Sequence, residues 1–152
     1  MLWNKTQQTP HSKTGEALLK RMSLHVSIQK DCITMFENGH MNEAVRKALE
    51  RFEKYVQDQI NDYKLTGQGL MSKAFNEQQS IIALNDMKTA NEQSEQLGFK
   101  LLTMGAMSGI RNMYSHGDVS QMSPTDALER LAFISLLFKR VEATVKCEDN
   151  KQ

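Results

Sequence analysis

Ala44, Val45, Ala48, Leu49, Phe52, Val56 and Ile60 recur at three- and four-residue steps. That spacing predicts one apolar face on an amphipathic helix of about six turns. Asn38-Gly39 ends the helical pattern before it, since glycine suits the left-handed position after a helix C-terminus, and Asn42 is expected to cap the helix that follows. Upstream, a helical pattern begins at Glu16. Its apolar positions, among them Leu18, Met22, Leu24, Ile28, Ile33 and Phe36, are too irregular for one clean face and leave room for a break near Ser23. Residues 64–86, "KLTGQGLMSKAFNEQQSIIALND", are irregular: Gly67 and Gly69 flank a turn, "GLMSKAF" reads as a short helix and "SIIAL" as extended chain.

A second long helical pattern starts at Asn91 and runs through Leu97, Phe99, Leu101, Leu102, Met104, Met107 and Ile110. It contains Gly98, Gly105 and Gly109, each costing a helix on the order of 1 kcal/mol against alanine. Glycines so repeated point to close helix–helix contact, because a missing Cβ lets backbones approach. The last helix is the most sharply punctuated. Ser123 is a good N-cap, Pro124 suits the first helical position, and Asp126 completes a capping box; Leu128, Leu131, Ile134, Phe138, Val141 and Val145 carry the pattern on. The expected architecture is an all-α bundle of four or five helices. It has a polar N-terminal arm over 1–15, one helical domain over 16–146 and a tail over 147–152. Trp3, the one tryptophan, is a candidate anchor for the arm.

Composition narrows the function classes. The chain has 152 residues, enough for one domain with a real core, and only two prolines, which permits long helices. The formal net charge of +1 gives no global basic field, so any nucleic-acid contact must be local and its salt dependence shallow. Cys32 and Cys147 lie in no metal-type spacing and read as two reduced thiols; no clustered Asp, Glu and His set suggests a metal or cofactor. No apolar run reaches the roughly 18 residues of a membrane span, and the N-terminus has no signal-peptide apolar region, so a cytosolic protein is expected.

The chemistry-bearing stretch is "IRNMYSHG", Ile110 to Gly117. On an α-helix Asn112 and His116, four residues apart, share a face, whereas Arg111 sits about 140° from His116 at ~100° per residue. The three converge only if the helix bends or frays at its end, which Gly117 permits. A histidine there suits proton transfer near neutral pH, and a guanidinium offers a planar fork for phosphate oxygens. The plain alternative is a cationic C-terminal turn satisfying the last carbonyls. Of the other histidines, His11 lies in the polar arm and His25 in an apolar segment. His40 lies in the turn before the second helix and is an auxiliary site candidate, with a turn role as its alternative.

Arg111-x4-His116, with Asn112 directly after the arginine, resembles the signature of the HEPN superfamily (higher eukaryotes and prokaryotes nucleotide-binding domain). The ordered stretches "LHVSI", "MFENGHMNEAVRKALERFEKYV", "GLMSKAF", "EQLGFKLLTMGAMSGIRNMYSH" and "DALERLAFISLLFKRVE" are similar to the Ymh-type bacterial and prophage branch and span roughly Leu24 to Thr144. The resemblance implies an α-helical bundle that forms a homodimer about a two-fold axis. For active members it implies metal-independent endoribonuclease activity, often as a toxin or anti-phage effector. It puts Arg111, Asn112 and His116 in the site and RNA as the substrate, with an antitoxin or sensor protein as a further partner. A dimer also makes chemical sense: attack by a 2′-hydroxyl needs a base and an acid, and one His116 per chain supplies one such group. The other readings are a non-catalytic helical module binding a nucleotide or protein partner, and a structural dimer in which Arg111 is only a cap.

Overall fold

The computed structural model describes residues 22–111 and 120–149, with the side chains of the last helix described through Thr144. Among the described residues it contains α1 (Val26–Gln29), α2 (Asp31–Glu37), α3 (Met41–Ile60), α4 (Gly67–Ala74), α5 (Ala90–Gly105), a π-helical segment (Ala106–Arg111), α6 (Pro124–Asp149) and no strand. The all-α expectation holds. The helical segments outnumber the four or five expected because the first pattern divides at Lys30 into two short pieces, α1 and α2. Residues 22–25 are non-helical, and the start of the pattern, 16–21, lies outside the described residues. The N-terminal arm with His11 and Trp3, and the motif residues Asn112 and His116, lie outside the described residues.

α3 is the central strut. Its apolar stripe is fully buried from Ala44 through Val56, and it packs against α2, α4, α6 and the π segment. Phe52 meets Phe138 of α6 edge-to-face at 5.1 Å between ring centroids, the arrangement that aromatic quadrupoles favour. His25 stacks on the other side of Phe138, rings 4.6 Å apart and 7° from parallel. Its Nδ1 accepts the Ser27 N–H at 3.2 Å and so caps α1, while Nε2 faces Glu142 at 3.4 Å. Cys32 is fully buried on α2, and burial pushes its thiol up to about 11.

Helix ends follow local chemistry in three places and tertiary demand in a fourth. Gly39 takes φ +83 and stops α2, as its left-handed freedom predicts. Ser123 accepts the Asp126 N–H at 3.1 Å and donates to the Asp126 carboxylate at 2.8 Å, the expected start of α6. α5 begins not at Asn91 but at a capping box: Thr89 accepts from Glu92 N–H at 3.2 Å, and Glu92 accepts from Thr89 N–H at 2.8 Å. Asn42 does not cap α3, whose N-cap is His40. Asn42 lies inside the first turn, buried, and reaches across to the chain ahead of α6. Its amide donates to Ser120 O at 3.3 Å and its carbonyl accepts the Met122 N–H at 2.9 Å.

The irregular region is helical over Gly67–Ala74, as "GLMSKAF" suggests, but "SIIAL" is a run of bends and not a strand. One buried side chain organises it. Gln96 of α5 accepts the Leu84 N–H at 2.9 Å and donates to Phe75 O at 3.2 Å and Ile82 O at 3.0 Å. Among the described residues Gly98, Gly105 and Gly109 make no close contact: a Cβ at each would meet nothing within 4 Å. The close helix contact these glycines point to is therefore not made among the described residues of one chain.

Candidate functional site

α5 loses α-helical register just before the motif. From Ala106 to Arg111 the backbone is π-helical, a wider turn found mostly as single-turn insertions and often at functional sites. The local sequence favours such a departure. Gly105, just before the segment, and Gly109, within it, weaken the α-helix, and Ser108 Oγ donates back to Met104 O at 3.0 Å, a side-chain bond that competes with the backbone ladder. The angle of about 140° between Arg111 and His116 assumes regular α-geometry of ~100° per residue; the α-helical register ends at Gly105, and His116 lies outside the described residues.

Arg111 closes the π segment, with its side chain 28% exposed. Its Nη1 donates to Glu53 Oε2 at 2.7 Å. Glu53 comes from the middle of α3 and is itself buried. Its other oxygen, Oε1, accepts the N–H of Gly67, the first residue of α4, at 2.5 Å. A buried carboxylate is costly unless paired and hydrogen-bonded; here a cation engages one oxygen and the amide end of a helix, which favours negative charge, engages the other. Gly67 has φ +56, a conformation open to glycine and strained for other residues. One turn along α3, Gln57 donates to Leu65 O at 2.9 Å and holds the loop that delivers Gly67.

The sequence-derived candidates are therefore distributed as follows. Arg111 is an inward-tethered, partly open cation. Asn112 and His116 lie outside the described residues. His40 is exposed at the N-cap of α3, makes no side-chain cap bond and sits about 20 Å from Glu53 along that helix, at ~1.5 Å per residue. The structure does not bring His40 to Arg111. It places His40 beside Asn42, which holds Ser120 and Met122, residues that follow the motif segment. Sequence reasoning missed Glu53. The signal was there: an acid in line with Leu49, Val56 and Ile60 on a stripe otherwise apolar.

An apolar surface adjoins the site. Gly98, Leu101, Leu102, Gly105, Ile110 and Phe133 line a shallow open groove between α5 and α6. Leu101, Leu102 and, one turn past Phe133, Leu136 are more than half exposed. Among the described residues no three His, Cys, Asp or Glu side chains are grouped to hold a metal ion. No described helix is long and apolar enough to cross a membrane.

No curated protein and no solved structure matches the chain. One family model, described as "Protein of unknown function (Hypoth_ymh)", matches residues 22–141, a stretch that takes in α1 to α5, the π segment with Arg111 and most of α6. On that match the chain belongs to the Hypoth_ymh family.

Proposed function

We propose that the protein is a homodimeric, metal-independent endoribonuclease of the HEPN kind, acting as a toxin or anti-phage effector. His116 is the proton-transfer group, Arg111 neutralises charge at the scissile phosphate, and Asn112 orients His116 or binds a phosphate oxygen. His40 is at most an auxiliary group. The observation that carries the reading is the state of Arg111: a guanidinium held by a buried acid at the end of a π-helical turn, yet still partly open to solvent. Such a cation is oriented before any ligand arrives, which is what stabilising a developing phosphorane charge needs. The exposed apolar groove beside it supports the dimer, in which two copies of His116 supply base and acid. An antitoxin or sensor protein is the expected regulatory partner, and the protein acts in the cytoplasm.

The reading is tested by incubating the purified chain with an RNA oligonucleotide in EDTA. Cleavage is expected without metal, leaving 2′,3′-cyclic phosphate or 3′-phosphate ends, and a 2′-deoxy sugar at the cleaved position blocks it. His116→Ala lowers the rate by roughly 10² to 10⁴, the range for general acid–base catalysis. Arg111→Lys also impairs it, because a point charge does not replace a planar fork at phosphate. A magnesium requirement or 5′-phosphate products would overturn the mechanism. A folded dimer that leaves RNA intact would leave the non-catalytic module as the better reading.

A further inference from the structure

Glu53 occupies a position where hydrophobic burial alone would place a leucine. It projects from the inner face of α3 between Leu49 and Val56, both fully buried, and its own side chain is 9% exposed. Ion pairs in such places are weak contributors to stability, and well-packed apolar residues often serve as well or better. What the pair does instead is geometric. Glu53 joins three elements at one carboxylate: α3 carries it, Oε1 takes the Gly67 N–H at the head of α4, and Oε2 takes Nη1 of Arg111 at the end of the π segment. Gln57 holds Leu65 O from the same face of α3, so the approach to Gly67 is fixed as well. With each oxygen engaged by a different partner, the carboxylate is restrained at two points, and the arginine it holds is restrained with it.

We infer that Glu53 is a positioning residue for Arg111: it sets the plane of the guanidinium so that its fork meets a phosphodiester in one orientation. The inference rests on the ribonuclease reading above. Recognition of phosphate by arginine is planar and directional, and a fork held in place by a buried neighbour needs no reorganisation as charge builds on the phosphorus oxygens. Glu53 itself does not touch the substrate, since its two oxygens face Gly67 and Arg111. Its effect therefore falls on the transition state more than on ground-state binding, and appears in kcat rather than KM.

The test is a double-variant cycle on cleavage of an RNA oligonucleotide by the full chain, with wild type, Glu53→Gln, Arg111→Ala and the combined variant. Glutamine keeps the size and one acceptor oxygen for the Gly67 N–H but removes the charge that grips Arg111. Glu53→Gln is expected to lower kcat by roughly tenfold or more, with KM within about twofold. The combined variant should be no slower than Arg111→Ala, because nothing is left to position. A wild-type kcat in Glu53→Gln, or losses that multiply in the combined variant, would overturn the inference and leave Glu53 as a prop for α4. If circular dichroism shows Glu53→Gln to be unfolded, Glu53→Asp decides the matter: it keeps the charge but is one methylene short, and a folded Asp variant with wild-type kcat overturns the inference. A wild-type chain that cleaves no RNA sinks the ribonuclease reading itself and this inference with it. An active wild type with multiplicative losses sinks the inference alone.

Discussion

The Gln96 amide is wholly buried and satisfies three backbone groups of the segment between α4 and α5: Leu84 N–H, Phe75 O and Ile82 O. That segment has no strand or helix ladder of its own beyond Ala74, so its buried polar groups depend on this side chain. Gln96→Leu keeps the volume and removes the bonds. Each stranded buried group costs ~1–3 kcal/mol, so the variant should lose about 3 kcal/mol or more, read as a fall in the urea midpoint at unchanged m-value. A loss under about 1 kcal/mol would mean that the loop re-satisfies itself, by water or by rearrangement. Neither Gln96 nor Glu53 stands out on counting apolar positions, which treats a polar residue on a buried stripe as an interruption. Both have partners far away in sequence: Glu53 holds a residue 58 positions on, and Gln96 one 21 positions back. Arg111, by contrast, was singled out as a candidate by residues adjacent in sequence, and its pairing with Glu53 was not.

Helix boundaries show the same division one level up. The start of α6 was readable from Ser123, Pro124 and Asp126, since a capping box closes on itself within four residues. The helical pattern placed the start of α5 at Asn91; the deciding feature is Glu92, three residues after Thr89 and able to return the bond. Asn42 has the chemistry of a cap and is used as a tether, because Ser120 and Met122 compete for its amide. Ser123→Ala and Thr89→Ala should each cost about 1 kcal/mol. The two caps belong to different helices and share no partner, so the costs should add within a few tenths of a kcal/mol. Denaturant titration of the singles and the pair checks this; a clear excess in the pair would show that α5 and α6 start as one cooperative unit. The π segment was not legible as such. Gly105 and Gly109 signalled a weak helix, but the sequence pattern does not say whether a weak helix frays, kinks or widens.

At the scale of the molecule, the glycine-bearing face of α5 packs on none of the described residues. The sequence indicated close packing at Gly98, Gly105 and Gly109; the described residues leave them open, and Gly98 and Gly105 line a groove with Leu101, Leu102, Ile110 and Phe133. On the proposed reading this exposed apolar groove is the association surface, where glycine lets a second backbone come close. If that surface joins two copies, it also brings two Arg111-bearing ends together, since Ile110 lines the groove and Arg111 follows it directly. Oligomeric state and activity are then expected to fall together. Leu101→Glu puts a carboxylate on each copy into an apolar contact, where an unpaired charge is costly, and like charges meet across a two-fold axis. The substitution is on the surface of a single chain, so the fold should survive, with an unchanged helical circular dichroism spectrum. Light scattering at micromolar concentration should report a dimer for wild type and a monomer for Leu101→Glu. RNA cleavage by the monomeric variant should drop by at least the ~10² expected from losing an acid–base group, although its own Arg111 and His116 are intact. A monomeric wild type would remove the dimer, and a monomeric Leu101→Glu variant with full activity would show that one chain carries a complete site.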